Sequence, residues 1–438
     1  MGRYIPAAPA EQRQLLEAVG VASFDELFAV IPKELRIGGL CIEPGKSELE
    51  VSALLRGMAD KNRVFPVIFR GAGAYHHFIP PIVRSVAGKE EFVTSYTPYQ
   101  AEISQGLLQL IFEYQTMICE LTGMDLSNAS VYDGASAAAE AVTMCRERGR
   151  SKALIAASSH PMVIRTMRTY CESADTELVV VPEREGRTDA EALAALLDGG
   201  VACLYVQQLN FHGLIEDADA LFAQVHAADA RAILGVNPIA AGLLKSAGAC
   251  GADIAVGEGQ PLGMPLAFGG PYLGFMACTK ALMRRIPGRV VGETLDAEGR
   301  RAFVLTLQAR EQHIRREKAS SNICSNQAHC ALTAGAYLTA MGPDGLRQAA
   351  SLCYAKAHYL AQRLCEIEGV ALAHPGDFFH EFVTTLPCPP EALLDRLAQQ
   401  GVLGGLPVQQ GILWCCTELN TREQIDELVN TVREVCGA

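Results

Sequence analysis

Residues Asp253 to Phe275 are where chemistry is to be looked for first. Ile254, Ala255 and Val256 read as a short buried strand that breaks at once into a glycine loop, Gly257 to Gly263. The stretch closes on the tight-turn signal Gly269-Gly270-Pro271 before a second apolar run. In an alternating β/α chain, a strand running into a glycine loop is where reactive groups are placed. Yet this loop holds no Ser, Thr, Cys, Lys or His, and no lysine occurs between Lys245 and Lys280. The chain builds the wall of an active site and leaves out the reactive group.

Other stretches carry polar groups at suggestive spacing. Asp133-Gly134-Ala135-Ser136 sits between a strand pattern and a helix pattern. Small residues there let backbone N–H groups at a helix start meet a phosphate; the plainer alternative is Asp133 capping the helix over a tight turn. Asn237-Pro238 ends another strand, at a position where an enzyme with a pyridine-ring cofactor needs a carboxylate to keep the ring nitrogen protonated. An amide supplies no such charge, so Asn237 reads as a turn residue. Between Gln308 and Gln327, Arg310, Arg315, Arg316 and Lys318 alternate with Glu311 and Glu317. One reading is a solvated helix face with Glu311 paired to Arg315. The preferred one is that the row Ser320-Ser321-Asn322-Ile323-Cys324-Ser325-Asn326 donates hydrogen bonds to an anion at a subunit seam. Cys324, His329 and Cys330 crowd into one short segment without a fourth ligand, so no metal site is expected. His76-His77 reads as a packing pair in a loop, and Cys415-Cys416 as core on a strand.

The elements that must hold these groups follow from apolar periodicity. Strand-like runs at Ala129–Tyr132, Ala153–Ala156, Leu178–Val181, Ala202–Val206, Ala232–Val236 and Asp253–Val256 alternate with helical patterns such as Ala135–Arg146, Met162–Cys171, Ala190–Leu197 and Ala218–Ala228. That alternation predicts a mostly parallel sheet covered on both faces, an α/β fold. Tyr272–Cys278 adds a strand and Thr279–Ile286 a helix. Upstream, a helix with Leu107, Leu110, Ile111, Tyr114, Met117, Ile118 and Leu121 on one face ends at Gly123. Residues 1–62 read as a helical arm with capping-box spacing at Ser23/Glu26 and Ser47/Glu50. The large α/β domain takes 63–343, with a helix Ala328–Met341 ended by Gly342-Pro343. Residues 344–438 form a small α+β domain.

Composition sets the outer bounds. A net charge of −12 and a pI near 5.4 exclude a general nucleic-acid binder, which needs a basic face. No apolar run is long enough to span a membrane. Fifteen scattered cysteines without a C-x-x-C pair, and no basic-then-apolar leader at Met1–Tyr4, lead to the expectation of a cytoplasmic protein with reduced thiols.

Five stretches together resemble a known family. Thr94–Gly106 (TSYTPYQAEISQG), Ser130–Ala141 (SVYDGASAAAEA), Gly257–Gly263 (GEGQPLG), Phe268–Phe275 (FGGPYLGF) and Arg310–Gln327 (REQHIRREKASSNICSNQ) resemble the P-protein family of the glycine cleavage system. The likeness is to its α chain or amino-terminal half, subunit 1 of glycine dehydrogenase (decarboxylating), and it covers essentially the whole chain. The resemblance implies the pyridoxal-phosphate-dependent transferase fold (fold type I). It also implies a split enzyme of α2β2 form, in which the β subunit carries the Schiff-base lysine and the α chain is a degenerate partner. Pyridoxal phosphate is then bound covalently by β and not by this chain, which supplies no catalytic residue of its own. The implied reaction decarboxylates glycine and passes the aminomethyl group to the lipoyl arm of the H-protein, the cofactor ring accepting electrons as CO2 leaves.

In related dimers each chain lends loops to its neighbour's site. The resemblance therefore singles out Tyr96, Tyr99 and Gln100 for the substrate entrance or partner site. Ser321, Asn322, Cys324, Ser325 and Asn326 are the candidates for the partner's cofactor, and Arg310 and Arg315 for docking the carrier or an anion. Two other readings stay open: a complete pyridoxal-phosphate enzyme using Lys245 or Lys280, and a docking module for the lipoyl carrier.

Overall fold

The computed structural model describes residues 8–39, 41–94, 97–323 and 327–437, and the chain divides into two compact units, Met1–Val64 and Phe65–Ala438. The first unit carries helices Pro9–Val19, Phe24–Leu27 and Glu48–Ala59. Ser47 and Glu50 cap each other's backbone N–H groups, a complete capping box. Ser23 accepts from Glu26 N, but the Glu26 carboxylate takes Ala22 N, so the first box is only half formed.

In the second unit a seven-stranded sheet is built from β1 (Leu126–Ser127), β2 (Lys152–Ala156), β3 (Glu177–Val181), β4 (Val201–Gln208), β5 (Arg231–Val236), β6 (Ile254–Glu258) and β7 (Gly274–Cys278). Their order across the sheet is β1-β7-β6-β5-β4-β2-β3. Only β7 runs against the others. Alternate residues feed two cores: Leu154, Leu204, Leu234 and Ala255 on one face, Ile155, Cys203, Ile233 and Val256 on the other. Each Leu, Ile or Val among them contributes about 1.5–3 kcal/mol when fully buried. Burial on both faces is why these strands read as unbroken apolar runs.

Beyond the sheet lies the long helix Ala328–Cys365, whose path is broken at Gly342 (φ 60°, ψ 179°). The expected stop at Gly342-Pro343 is thus a kink from which a second helix starts at once, since proline suits a first turn. A four-stranded antiparallel sheet follows, made of Ala371–Leu372, Glu381–Thr385, Gly411–Cys415 and Leu406–Val408. Phe69, Phe382, Trp414, Leu393 and Leu428 form its core with helices Pro390–Gln399 and Arg422–Cys436.

Several local expectations are corrected. The strand placed at Ala129–Tyr132 forms at Leu126–Ser127, with Val131 only bridging Gly274. The helix placed at Thr279–Ile286 is a single 3-10 turn, Lys280–Leu282. A hairpin, Val290–Leu295 with Arg301–Thr306, stands where no element is expected; Asp296 organises its turn by accepting from the N–H groups of Glu298 and Arg300. The charged segment is not one helix: Leu307 and Arg316 take left-handed φ values of 55° and 56° and cut it into short turns. Glu311 is buried and faces His313 at 3.6 Å instead of pairing with Arg315. Cys388 and Cys436 lie side by side, their Cα atoms 5.3 Å apart, because the last helix ends beside the bend that carries Cys388.

Candidate functional site

A cavity of about 490 Å³ opens at the carboxyl ends of β4, β5 and β6. In a doubly wound sheet this edge is where ligands bind. Its walls come from the ends of those strands, from the first turn of the Gly134–Cys145 helix, from the Ala72–Tyr75 loop and from His160.

Glu258, the last residue of β6, is turned onto the start of the Gly134–Cys145 helix. Its Oε2 accepts from Gly134 N at 3.0 Å, and its Oε1 from Gln260 N and Leu273 N, both at 3.0 Å. Asp133 caps the same helix, accepting from Ser136 N at 2.7 Å. A helix start with converging N–H groups is an anion cradle, and here a side chain of the chain itself fills it. Gly134 is required at this spot, since a Cβ there would stand 2.8 Å from Glu258 N. Burial pushes the Glu258 carboxyl up to about 7 despite its three N–H donors.

His160 caps the Pro161–Ser173 helix, its Nδ1 accepting from Met162 N at 3.1 Å. Its Nε2 therefore carries the proton and donates to Ala72 O at 2.9 Å. Burial lowers its pKa, so the ring is neutral. Gln207 at the end of β4 accepts from His160 N at 2.9 Å. Asn237 accepts from Ile239 N and Ala240 N at 3.0 and 3.1 Å, the turn role expected for it. The Ala72–Tyr75 loop is pinned by Gln260, which is fully buried. Its amide accepts from Tyr75 N at 2.8 Å and donates to Tyr75 O and Met264 O at 2.9 and 2.8 Å. The far side of the loop is held by Glu381, which accepts from Ala72 N at 2.6 Å and Tyr75 Oη at 2.7 Å.

Glu140, Glu258 and Glu381 are each pushed up to about 7 by burial, from an ordinary value of 4.5. Raised carboxyls cost nothing at or below pH 4.5, then penalise the fold as the pH climbs to 7, by at most about 3 kcal/mol apiece. Stability should therefore fall across that window. Glu258→Gln should gain on the wild type between pH 5 and pH 8 in urea unfolding; a gap independent of pH would refute the assignment. Glu418 behaves oppositely: beside His77 it is held down at about 2, so its contribution is present above 4.5 and lost as the pH falls towards 2.

Three stretches picked out in the sequence do line this cavity, through Gly257, Glu258 and Tyr272, through Asp133, Gly134 and Ala135, and through Asn237 and Pro238, whereas Tyr99, Gln100, Arg310, Arg315, Ser321 and Asn322 do not. Tyr99 meets Arg289, whose guanidinium donates to Tyr99 Oη at 2.9 Å, and His313, whose ring lies 5.8 Å away. The charged segment thus meets the first loop through His313 and Tyr99, while Gln100 and Arg315 are exposed. Arg310 turns inward and donates to Ile286 O. Ser321 Oγ donates to Glu140 Oε1 at 3.0 Å, and Asn322 is exposed. Tyr96, Cys324, Ser325 and Asn326 lie outside the described residues. His77, read as a packing residue, is buried with Nδ1 2.8 Å from Glu418 Oε2. Cys353 Sγ lies 3.2 Å from the same oxygen, and the ligand atoms of the three fall within 4.8 Å of one another. Glu258, Gln260, His160 and Gln207 are the site residues that sequence reasoning misses. For Glu258 a signal existed: it is the only carboxylate between Asp253 and Glu293, in a loop otherwise uncharged up to Lys280.

Solved structures place this architecture in a class. The chain is similar to a sphingosine-1-phosphate lyase of Burkholderia pseudomallei, with TM-score 0.68 at 15% identity over 92% of this chain and 94% of that one. It is also similar to an alanine–glyoxylate aminotransferase of Nostoc, with TM-score 0.59 at 15% identity over 90% and 97%. The fold is that of the pyridoxal-phosphate-dependent enzymes of fold type I. A much nearer likeness is to the glycine decarboxylase (P-protein) of the glycine cleavage system in an inhibitor-bound form: TM-score 0.93 at 43% identity, covering 99% of this chain and all of that one (100%). The family model for the glycine cleavage system P-protein matches residues 2–432. Curated relatives called probable glycine dehydrogenase (decarboxylating) subunit 1 are 49% identical in Syntrophomonas wolfei, over 99% of this chain and 100% of that one, and 47% in Desulfitobacterium hafniense, over 99% of each. The chain belongs to the glycine cleavage system P-protein family.

Proposed function

We propose that this chain is the subunit of glycine decarboxylase that lacks the cofactor-binding lysine and works by completing a site on a partner chain. With that β partner, in an α2β2 assembly, it decarboxylates glycine on pyridoxal phosphate and hands the aminomethyl group to the lipoyl arm of the H-protein. The observation that carries this reading is the state of the chain's own cavity. Pyridoxal phosphate asks for an amine, an empty anion cradle and a carboxylate facing the ring nitrogen. The described lining offers no lysine, its cradle is taken by Glu258, and residue 237 is an amide engaged in its own turn. The residues of this cavity do not fit the cofactor.

Further support lies in the two lysines an internal alternative would use. Lys245 pairs with Asp219 on the surface, Lys280 is exposed, and neither lines the cavity. The relatives' name, subunit 1, implies a second subunit. Tyr99 and Gln100, with Tyr96, are assigned to the entrance of the partner's site. Ser321 and Asn322, with Cys324, Ser325 and Asn326, are assigned to its cofactor, and Arg310 and Arg315 to anionic groups or the carrier. Glycine–bicarbonate exchange tests the proposal: activity is expected only when the two subunits are mixed. Exchange catalysed by this chain alone overturns it.

A further inference from the structure

We propose that the cavity at the carboxyl edge of the sheet is a binding site for a small organic cation, a planar ring bearing a primary amine, and that Glu258 decides this selectivity. The inference deepens the reading above, since it rests on the cavity having been given up as a cofactor site, and it concerns what the cavity takes instead.

The argument begins with charge. The cavity is large enough for a ring-sized ligand at about 490 Å³. Its described lining contains two carboxylates, Asp133 and Glu258, and neither lysine nor arginine. Most of the N–H groups that would draw an anion are engaged: Gly134 N, Gln260 N and Leu273 N all point at Glu258. Of the first three N–H groups of that helix, Gly134 N is thus held by Glu258 and Ser136 N by Asp133. An arriving phosphate meets the Asp133 carboxylate and a Glu258 carboxyl that ionises around neutral pH, across a helix start whose Gly134 and Ser136 N–H groups are already taken, and away from bulk water that repulsion is strengthened. An arriving ammonium meets the same groups as partners.

The walls supply the rest. Tyr75, Tyr205 and Tyr272 offer aromatic surface and His160 a neutral imidazole, and rings of this kind hold planar and cationic groups by stacking and cation–π attraction. Asp133 uses only Oδ1 within the fold among the described residues, so its carboxylate retains acceptor capacity. The walls are also stiff, because Gln260 and Glu381 tie the Ala72–Tyr75 loop in place from both sides. A preorganised site binds without an ordering cost.

Calorimetric titration of the full-length chain with three probes tests the proposal: pyridoxamine, a ring with an amine and no phosphate, pyridoxal 5′-phosphate, and inorganic phosphate. The wild type is expected to bind pyridoxamine about tenfold or more tightly than either phosphate-bearing probe. Glu258→Ala should reverse the order, losing about tenfold for pyridoxamine and acquiring affinity for inorganic phosphate in the vacated cradle. Glu258→Gln, which keeps the side-chain volume, should weaken pyridoxamine in the same direction and guards against a folding defect in the alanine variant. Failure of the wild type to bind pyridoxamine, or equal phosphate binding by wild type and Glu258→Ala, overturns the inference and leaves the proposed subunit role intact. Covalent capture of pyridoxal 5′-phosphate by the wild type overturns that role as well.

Discussion

Gln260→Ala is expected to cost the fold about 4 kcal/mol and to lower the exchange activity of the reconstituted enzyme with it. Gln260 is completely buried, and its amide bonds both the N–H and the C=O of Tyr75 while also serving Met264 O. Truncation leaves one donor and two acceptors without partners, at about 1–3 kcal/mol each where water cannot reach them, plus a void. The damage reaches the cavity because the Ala72–Tyr75 loop forms one of its walls and carries the acceptor for His160, while the exchange activity falls through the loss of folded subunit. Once the loop is loosened, His160 loses the carbonyl that accepts from its Nε2. Urea unfolding followed by circular dichroism is the measurement. A midpoint within error of the wild type would show that the loop is held by Glu381 alone.

The second large effect lies in the small sheet. Trp414 is the one tryptophan of the chain, is fully buried, and donates Nε1–H to Thr384 Oγ1 at 2.8 Å. Trp414→Ala removes the largest side chain of the core formed with Phe382, Leu393 and Leu428, at about 5 kcal/mol for the lost burial and cavity. Trp414→Phe keeps most of the ring and loses the hydrogen bond, and should cost about 1–2 kcal/mol. Thermal unfolding separates the two. Equal losses for Ala and Phe would mean that the hydrogen bond, and not packing, holds this sheet together.

Local signals sufficed for much of the fold. The strands of the parallel sheet announce themselves as apolar runs because both of their faces are buried, and the helix ending at Gly123 stops there because that residue takes the left-handed turn that glycine allows, φ 69°. Where the sequence misleads, a non-local contact has overruled a local pattern. The hairpin of Val290–Leu295 with Arg301–Thr306 is stabilised by pairing across its own turn and by Gln105 and Gln115, which bond the backbone at Phe303 and Val291 from a distant helix. The charged segment reads as a solvated helix only so long as Glu311 and Arg310 are taken to be exposed; both are drawn inward.

What the sequence by itself determined is the class of chain and the absence of lysine from the loop after Val256. A lysine absent from residues 246–279 cannot be restored there by any fold, and the family motifs carry their meaning in order and spacing. What only the tertiary structure decided is what stands at the helix start beside the cavity. Glu258 precedes a glycine and a glutamine in the chain, and nothing in that order says that its carboxylate will lie across the first N–H of a helix that starts 124 residues earlier. That contact exists because β6 and the Gly134–Cys145 helix are packed together by cores assembled from the whole domain. A side chain's partners across such a distance are set by the packing of the sheet, which no local pattern encodes.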